Sequence, residues 1–152
     1  MRSTWFSVMA RCMRPGGELV VMLYARWSLN YLVSIGLLRR AALLAAVPFE
    51  RAGLIKAGPG RGMLAAHLEN VASIGLLGYL RLPVFAHYNT DGPANPYALV
   101  YDRGRVEHDF PSFEIVRTYK RFMHAPPLPV HKLPGQRLLG WHMWVHLRPV
   151  TN

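Results

Sequence analysis

Arg14-Pro15-Gly16-Gly17-Glu18-Leu19-Val20-Val21-Met22-Leu23-Tyr24 is the stretch that decides how this chain folds. Pro15 has no N–H to continue a helix, and the two glycines let the backbone reverse tightly. A helix in front must therefore stop here, and residues 4–13, mixing apolar and basic side chains at roughly helical spacing, supply it. The run from Glu18 to Tyr24 is almost continuously apolar and rich in Val. It reads as a strand at about 18–24 buried on both faces, as in the middle of a parallel sheet.

Ser28 is placed to cap a helix over Leu29 to Val47 that Pro48 ends. Gly58, Pro59, Gly60 and Gly62 form a loop, and a second helix is expected from Met63 to Leu80, with Pro83 just beyond. The segment His87 to Pro96, rich in Asn, Asp, Gly and Pro, reads as an irregular loop. Phe113 to Met123 is enriched in β-branched and aromatic residues and reads as a strand at about 113–123. After a loop carrying Pro126, Pro127, Pro129 and Pro134, Leu139, Trp141, Met143, Val145 and Leu147 alternate with Gly140, His142, Trp144, His146 and Arg148. That period of two predicts a strand at about 139–148 with one apolar face. The order is helix, strand, two helices, loop, strand, loop, strand, an α/β arrangement whose last two strands form an antiparallel pair.

The 152 residues suffice for one domain, and an apolar share of 51% with four Trp is a globular composition. Lys and Arg outnumber Asp and Glu by 18 to 8, giving a formal charge of +10. Such a balance favours anionic partners, but the basic residues are scattered from Arg2 to Arg148, whereas nucleic-acid elements cluster them on one face. Nucleic acid is accordingly not the expected partner. Cys12 stands alone, excluding an intramolecular disulfide, and the first residues lack the apolar core of a secretory signal, so a cytoplasmic protein is expected. Leu29 to Leu38 spans about 15 Å as a helix, roughly half of a bilayer core. Extending it brings in Arg39 and Arg40, so no transmembrane segment is expected.

Met13 to Tyr24 resembles the segment that precedes and forms the fifth strand of class I S-adenosylmethionine-dependent methyltransferases: an apolar residue, Arg or Lys, Pro-Gly-Gly, then an apolar strand. Asn89-Thr90-Asp91-Gly92-Pro93, Asn95-Pro96-Tyr97 and Val100-Tyr101 look like a loop before the last two strands of some members. Gly140-Trp141-His142-Met143-Trp144-Val145 looks like their terminal strand. The resemblance implies an incomplete Rossmann-like methyltransferase fold in which 18–24, 113–123 and 139–148 are the fifth, sixth and seventh strands. The last would be central and antiparallel in a small mixed sheet, with a helical insertion at about 29–80 (28–82 with its flanks) covering an acceptor pocket. It also implies S-adenosylmethionine as cofactor, yet the family's Gly-rich loop and ribose-binding acidic residue are not found in the expected place. The chain, 1–152, is thus expected to be the C-terminal part of such a domain, inactive without an N-terminal half or partner chain, and to act on a small-molecule methyl acceptor. The apolar insertion points to a hydrophobic acceptor, and a core-forming cap predicts the same composition.

No catalytic residue is singled out. Substrate contacts are expected among Tyr24, Arg26, His87, Asp91 and Tyr101, because strand ends and long loops border such pockets. Each has a structural alternative: Asp91 suits an Asx-turn, and Tyr24 suits a lid on the core. Gly58-Pro59-Gly60-Arg61-Gly62 matches G-x-G-x-G, but no buried strand leads into it and Lys56 stands where an acidic residue is usual, so it reads as an interhelical loop. His142 and His146, four apart on a strand, sit about 13 Å apart and cannot share one ion; no metal is expected. The rival reading from another class is a basic, non-enzymatic module on an anionic membrane surface or nucleic acid, with salt-sensitive binding as its mark.

Overall fold

The computed structural model describes residues 8–55, 62–95 and 97–150. In chain order the elements are α1 (8–12), β1 (Leu19–Ala25), a π-helical run (Asn30–Arg39) continuing into α2 (Arg40–Arg51), α3 (Met63–Ile74), α4 (Leu76–Tyr79) and α5 (Leu82–Thr90). Then come β2 (Val100–Tyr101), α6 (Arg103–Asp109), β3 (Phe113–Arg121), a 3-10 turn (Val130–Lys132), α7 (Gln136–Leu139) and β4 (His142–Pro149). They form two compact units: Met1–Leu29 with Val100–His124 and Pro129–Asn152, and Asn30–Leu99 with Ala125–Leu128.

The first unit is α/β, with a four-stranded mixed sheet in the order β2-β1-β4-β3. β4 is central and runs antiparallel to β1, pairing Leu19 with Leu147 and Tyr24 with His142, and antiparallel to β3. The alternation read from the sequence governs it: Met143, Val145 and Leu147 are buried while His142, Trp144 and His146 are half-buried on the opposite face. The buried set packs with Ala25, Val106, Phe110 and Phe113, and Ala10, Met13 and Leu19 flank this core. Burying a side chain such as Leu147 contributes about 1.5–3 kcal/mol.

Several expectations are corrected here. β1 is not buried on both faces: Leu19, Val21 and Leu23 pack on the core, while Val20 and Met22 remain 45% and 39% exposed. The residues of α1 and α6 that join the core lie against one face only. The strand expected over 113–123 ends at Arg121, because Phe122 adopts a φ of 60° that no strand tolerates. The strand expected from 139 begins at His142, since 136–139 close a helical turn in which the Gly140 N–H donates to the Gln136 carbonyl at 2.9 Å. β2 pairs in parallel with β1 only through Tyr24–Val100 and Ala25–Tyr101, and two residues carry no period to read. α6 was missed as well: Asp102 caps it by accepting from the Arg105 N–H at 3.0 Å, and Arg103–Glu107 and Arg105–Asp109 are i,i+4 pairs.

The second unit is helical, built around Ile35, Leu43, Leu68, Tyr79 and Phe85. Its first helix does not stop at Pro48 but reaches Arg51. Pro48 has no N–H to donate to the Leu44 carbonyl, the Leu44 side chain is exposed, and the chain leaves the helix at Gly53 instead. There the Leu54 N–H donates to the Phe49 carbonyl and the Gly53 N–H to the Glu50 carbonyl, each at 2.9 Å, with Gly53 at φ 73°. That is a Schellman close. The helix expected over 63–80 breaks at Gly75, whose φ of 85° interrupts it. Pro83 sits in the first turn of α5, where its missing N–H costs nothing, so helix replaces the first part of the loop expected over 87–96.

Candidate functional site

β1, β2 and β3 run the same way and β4 runs against them, so the carboxyl ends of three strands meet the start of the fourth at one end of the sheet. Open α/β sheets take ligands at that end. Tyr24, Arg26 and Tyr101 are brought together there. The Tyr24 ring stacks on Trp141 with centroids 4.9 Å apart and meets His142 edge-on at 6.1 Å. His142 stacks on Phe122 at 4.7 Å, and Phe122 on His124 at 5.1 Å, giving a continuous row of rings. Burial holds the His142 pKa below the usual histidine value, so its ring is neutral at pH 7.

Arg26 is fixed from two sides. Its backbone N–H donates to the Tyr101 carbonyl at 2.8 Å, and its Nη1 lies 3.1 Å from Asp102 Oδ2. Its guanidinium also lies 5.4 Å from the centre of the exposed Trp27 ring. Lys120 Nζ donates to the Trp27 and Leu138 carbonyls, tying the segment after β1 to α7. Phe122 is the non-glycine residue with positive φ among the described residues, and its carbonyl accepts from the Trp141 N–H at 2.8 Å. Such a backbone costs about 1–3 kcal/mol, and residues of this kind concentrate at functional sites.

The S-adenosylmethionine implied by the resemblance needs a Gly-rich loop and a carboxylate for its ribose. Asp102, the carboxylate that follows β2, is already engaged by Arg26 and by the Arg105 N–H. β1 runs on into Arg26-Trp27-Ser28 and β2 into α6, neither through a glycine-rich turn. The described residues therefore do not fit the cofactor, and positions 58–61 of the G-x-G-x-G segment, like Pro96, lie outside them.

His87 and Asp91 belong to the second unit, His87 in the last turn of α5 and Asp91 directly after it. That unit holds a cavity of about 410 Å3 lined by Leu43, Leu64, Phe85, Pro126 and other apolar groups, with Arg39, His67 and Asn89 as its polar members. The His67 Nδ1 and Tyr79 Oη are 2.6 Å apart, and Asn70 Nδ2 donates to the same hydroxyl at 3.4 Å. Burial, with the Arg39 charge adding to it, brings the His67 pKa down to about 4, and burial pushes Tyr79 up to about 12. Both are neutral at pH 7. Arg39 Nη1 donates to the Asn89 carbonyl at 3.1 Å, and burial lowers the Arg39 pKa.

Sequence reading singled out none of these three polar residues as a site. The available signal was Arg39 itself, a cation in an apolar helix that needs something to face. Among the described residues no three His, Cys, Asp or Glu side chains converge as for a metal. No protein-family model, curated protein or solved structure matches this chain.

Proposed function

We propose that this chain supplies the carboxy-terminal strands of a Rossmann-like, class I S-adenosylmethionine-dependent methyltransferase domain and carries the acceptor side of its active site. One observation carries the reading: β4 lies antiparallel between β1 and β3, matching that family's order of fifth, seventh and sixth strands. Strand insertion of this kind is rarer than a simple meander, in which sequential strands are neighbours. The Pro15-Gly16-Gly17 turn before β1, closed by the Gly17 N–H on the Arg14 carbonyl at 2.9 Å, stands where the family has its own.

The chain's residues then bind and orient the acceptor. Arg26, held by Asp102 and by the Tyr101 carbonyl, offers a fixed cation beyond the end of β1. Tyr24, held against Trp141, offers a flat apolar face beside it. Alignment of this kind is the larger part of what methyl transfer asks of a protein. In this reading the donor half of the site belongs to an N-terminal half or a partner chain, and this chain alone is inactive. Its place is the cytoplasm. The helical run Asn30–Arg51 has 22 residues and an 18-residue stretch of mean hydropathy 1.7, long and apolar enough to cross a membrane. It nevertheless carries Arg39 and Arg40 near its middle, each costing about 2.5–3.5 kcal/mol at a bilayer centre.

Calorimetric titration of the folded chain with S-adenosylmethionine tests the reading, together with the coding sequence upstream of Met1. No binding, with an upstream frame encoding an acidic residue ahead of a G-x-G-x-G loop, is the expected result. Saturable micromolar binding would overturn the strand correspondence and make Gly58 and Gly60 the first residues to substitute.

A further inference from the structure

The cavity of the second unit is not used by the methyl-transfer reading, and its composition is specific. Its walls are apolar side chains of α2, α3 and α5 with Pro126 and Pro127, and its volume of about 410 Å3 lies within the range of small-molecule sites. None of the lining residues is Asp or Glu. Arg39 is half-buried in the wall with one nitrogen committed to the Asn89 carbonyl, and no carboxylate bonds it among the described residues. Of the other two polar members, His67 is neutral and turned to Tyr79, and Asn89 Nδ2 donates to the Phe85 carbonyl at 2.9 Å. An apolar cavity with one uncompensated cation at its wall is complementary to one kind of molecule.

We propose that this cavity binds a small amphiphilic carboxylate, its anionic group on the Arg39 guanidinium and its hydrocarbon against Leu43, Leu64, Phe85 and Pro126. The planar guanidinium matches a carboxylate through two parallel hydrogen bonds, and the single positive charge suits a monoanion better than a phosphate. The hydrocarbon supplies the affinity, at roughly 25 cal/mol per Å2 of apolar surface removed from water. The neutral His67–Tyr79 pair keeps the floor free of a competing charge. The site lies within one unit and owes nothing to the methyl-transfer reading.

The test is calorimetric titration of the full chain with octanoate and, separately, with octan-1-ol, which keeps the hydrocarbon and removes the charge. Octanoate is expected to bind at one site, about tenfold or more tighter than octan-1-ol. Arg39→Gln should cancel that preference while leaving octan-1-ol unchanged, and Arg39→Lys should keep part of it. Leu64→Trp, at a half-exposed position of the wall, should fill the cavity and weaken both ligands. Octanoate failing to bind the folded chain, octan-1-ol binding as well as octanoate, or Arg39→Gln leaving octanoate unaffected would each overturn the proposal. These readouts involve no S-adenosylmethionine, so the two readings fail separately.

Discussion

The Tyr79 hydroxyl lies 2.6 Å from the Nδ1 of His67, and both side chains are buried. Burial, with the Arg39 charge adding to it, keeps the imidazole neutral by bringing its pKa down to about 4. The unfolded chain binds a proton at the ordinary histidine value of about 6.5, before the folded chain does. Stability from this group is therefore complete above about pH 6.5 and is lost as pH falls toward 4, by about 3 kcal/mol in all. Urea unfolding at several pH values should show that loss in the native chain. His67→Gln should lose about 3 kcal/mol less than the native chain over the same window. A native chain equally stable at pH 6.5 and pH 4.5 would contradict the assignment.

Asp102 does two jobs, and they can be separated. Its Oδ2 meets Arg26 and its Oδ1 accepts from the Arg105 N–H at the start of α6. The ion pair is largely exposed, so Arg26→Ala should cost less than about 1 kcal/mol. Asp102→Ala also removes the cap and should cost about 1–2 kcal/mol, while Asp102→Asn, which can still cap, should resemble Arg26→Ala. Thermal melts of the three variants check the order.

Two glycines should respond differently to a methyl group. At Gly140 an added Cβ would sit 2.4 Å from the Gln136 carbonyl oxygen and 2.5 Å from that of Arg121. Backbone must move to admit it, so Gly140→Ala should cost about 3 kcal/mol or unfold the sheet unit. At Gly53 there is open space but a φ of 73°, and Gly53→Ala should cost only about 1 kcal/mol. Denaturant midpoints compare the pair, and equal losses would refute the distinction.

β1 pairs with β2 only at Tyr24 and Ala25, so on the side away from β4 Leu19 to Leu23 present an edge with no strand partner among the described residues. Val20 and Met22 add exposed apolar surface beside that edge. Such edges recruit further strands. Val20→Lys should reduce self-association of the chain several-fold in sedimentation velocity without changing its melting temperature. Unchanged self-association would place the contact elsewhere.

The amino-acid sequence determined the parts of this protein that local rules govern. The Pro15-Gly16-Gly17 turn, the alternation of Met143, Val145 and Leu147 with His142, Trp144 and His146, and the helical character of the residues after Ser28 depend on backbone chemistry and a repeat period, both written in consecutive residues. Pro48 and Pro83 were equally readable, but each was given the wrong weight, since a proline near a helix end and one at a helix start obey opposite rules. Of the expected site residues, Tyr24 and Arg26 were placed by their position at the end of a strand, and Tyr101 came with them only because β2 pairs there. What the tertiary structure alone decided were long-range relations: the stacking of Tyr24 on Trp141, the bond between His67 and Tyr79, and the cavity that Arg39 shares with Pro126. Such contacts join residues far apart in the chain, and burial rather than residue type sets the charge state of each group. No window of sequence contains either fact until the chain has packed.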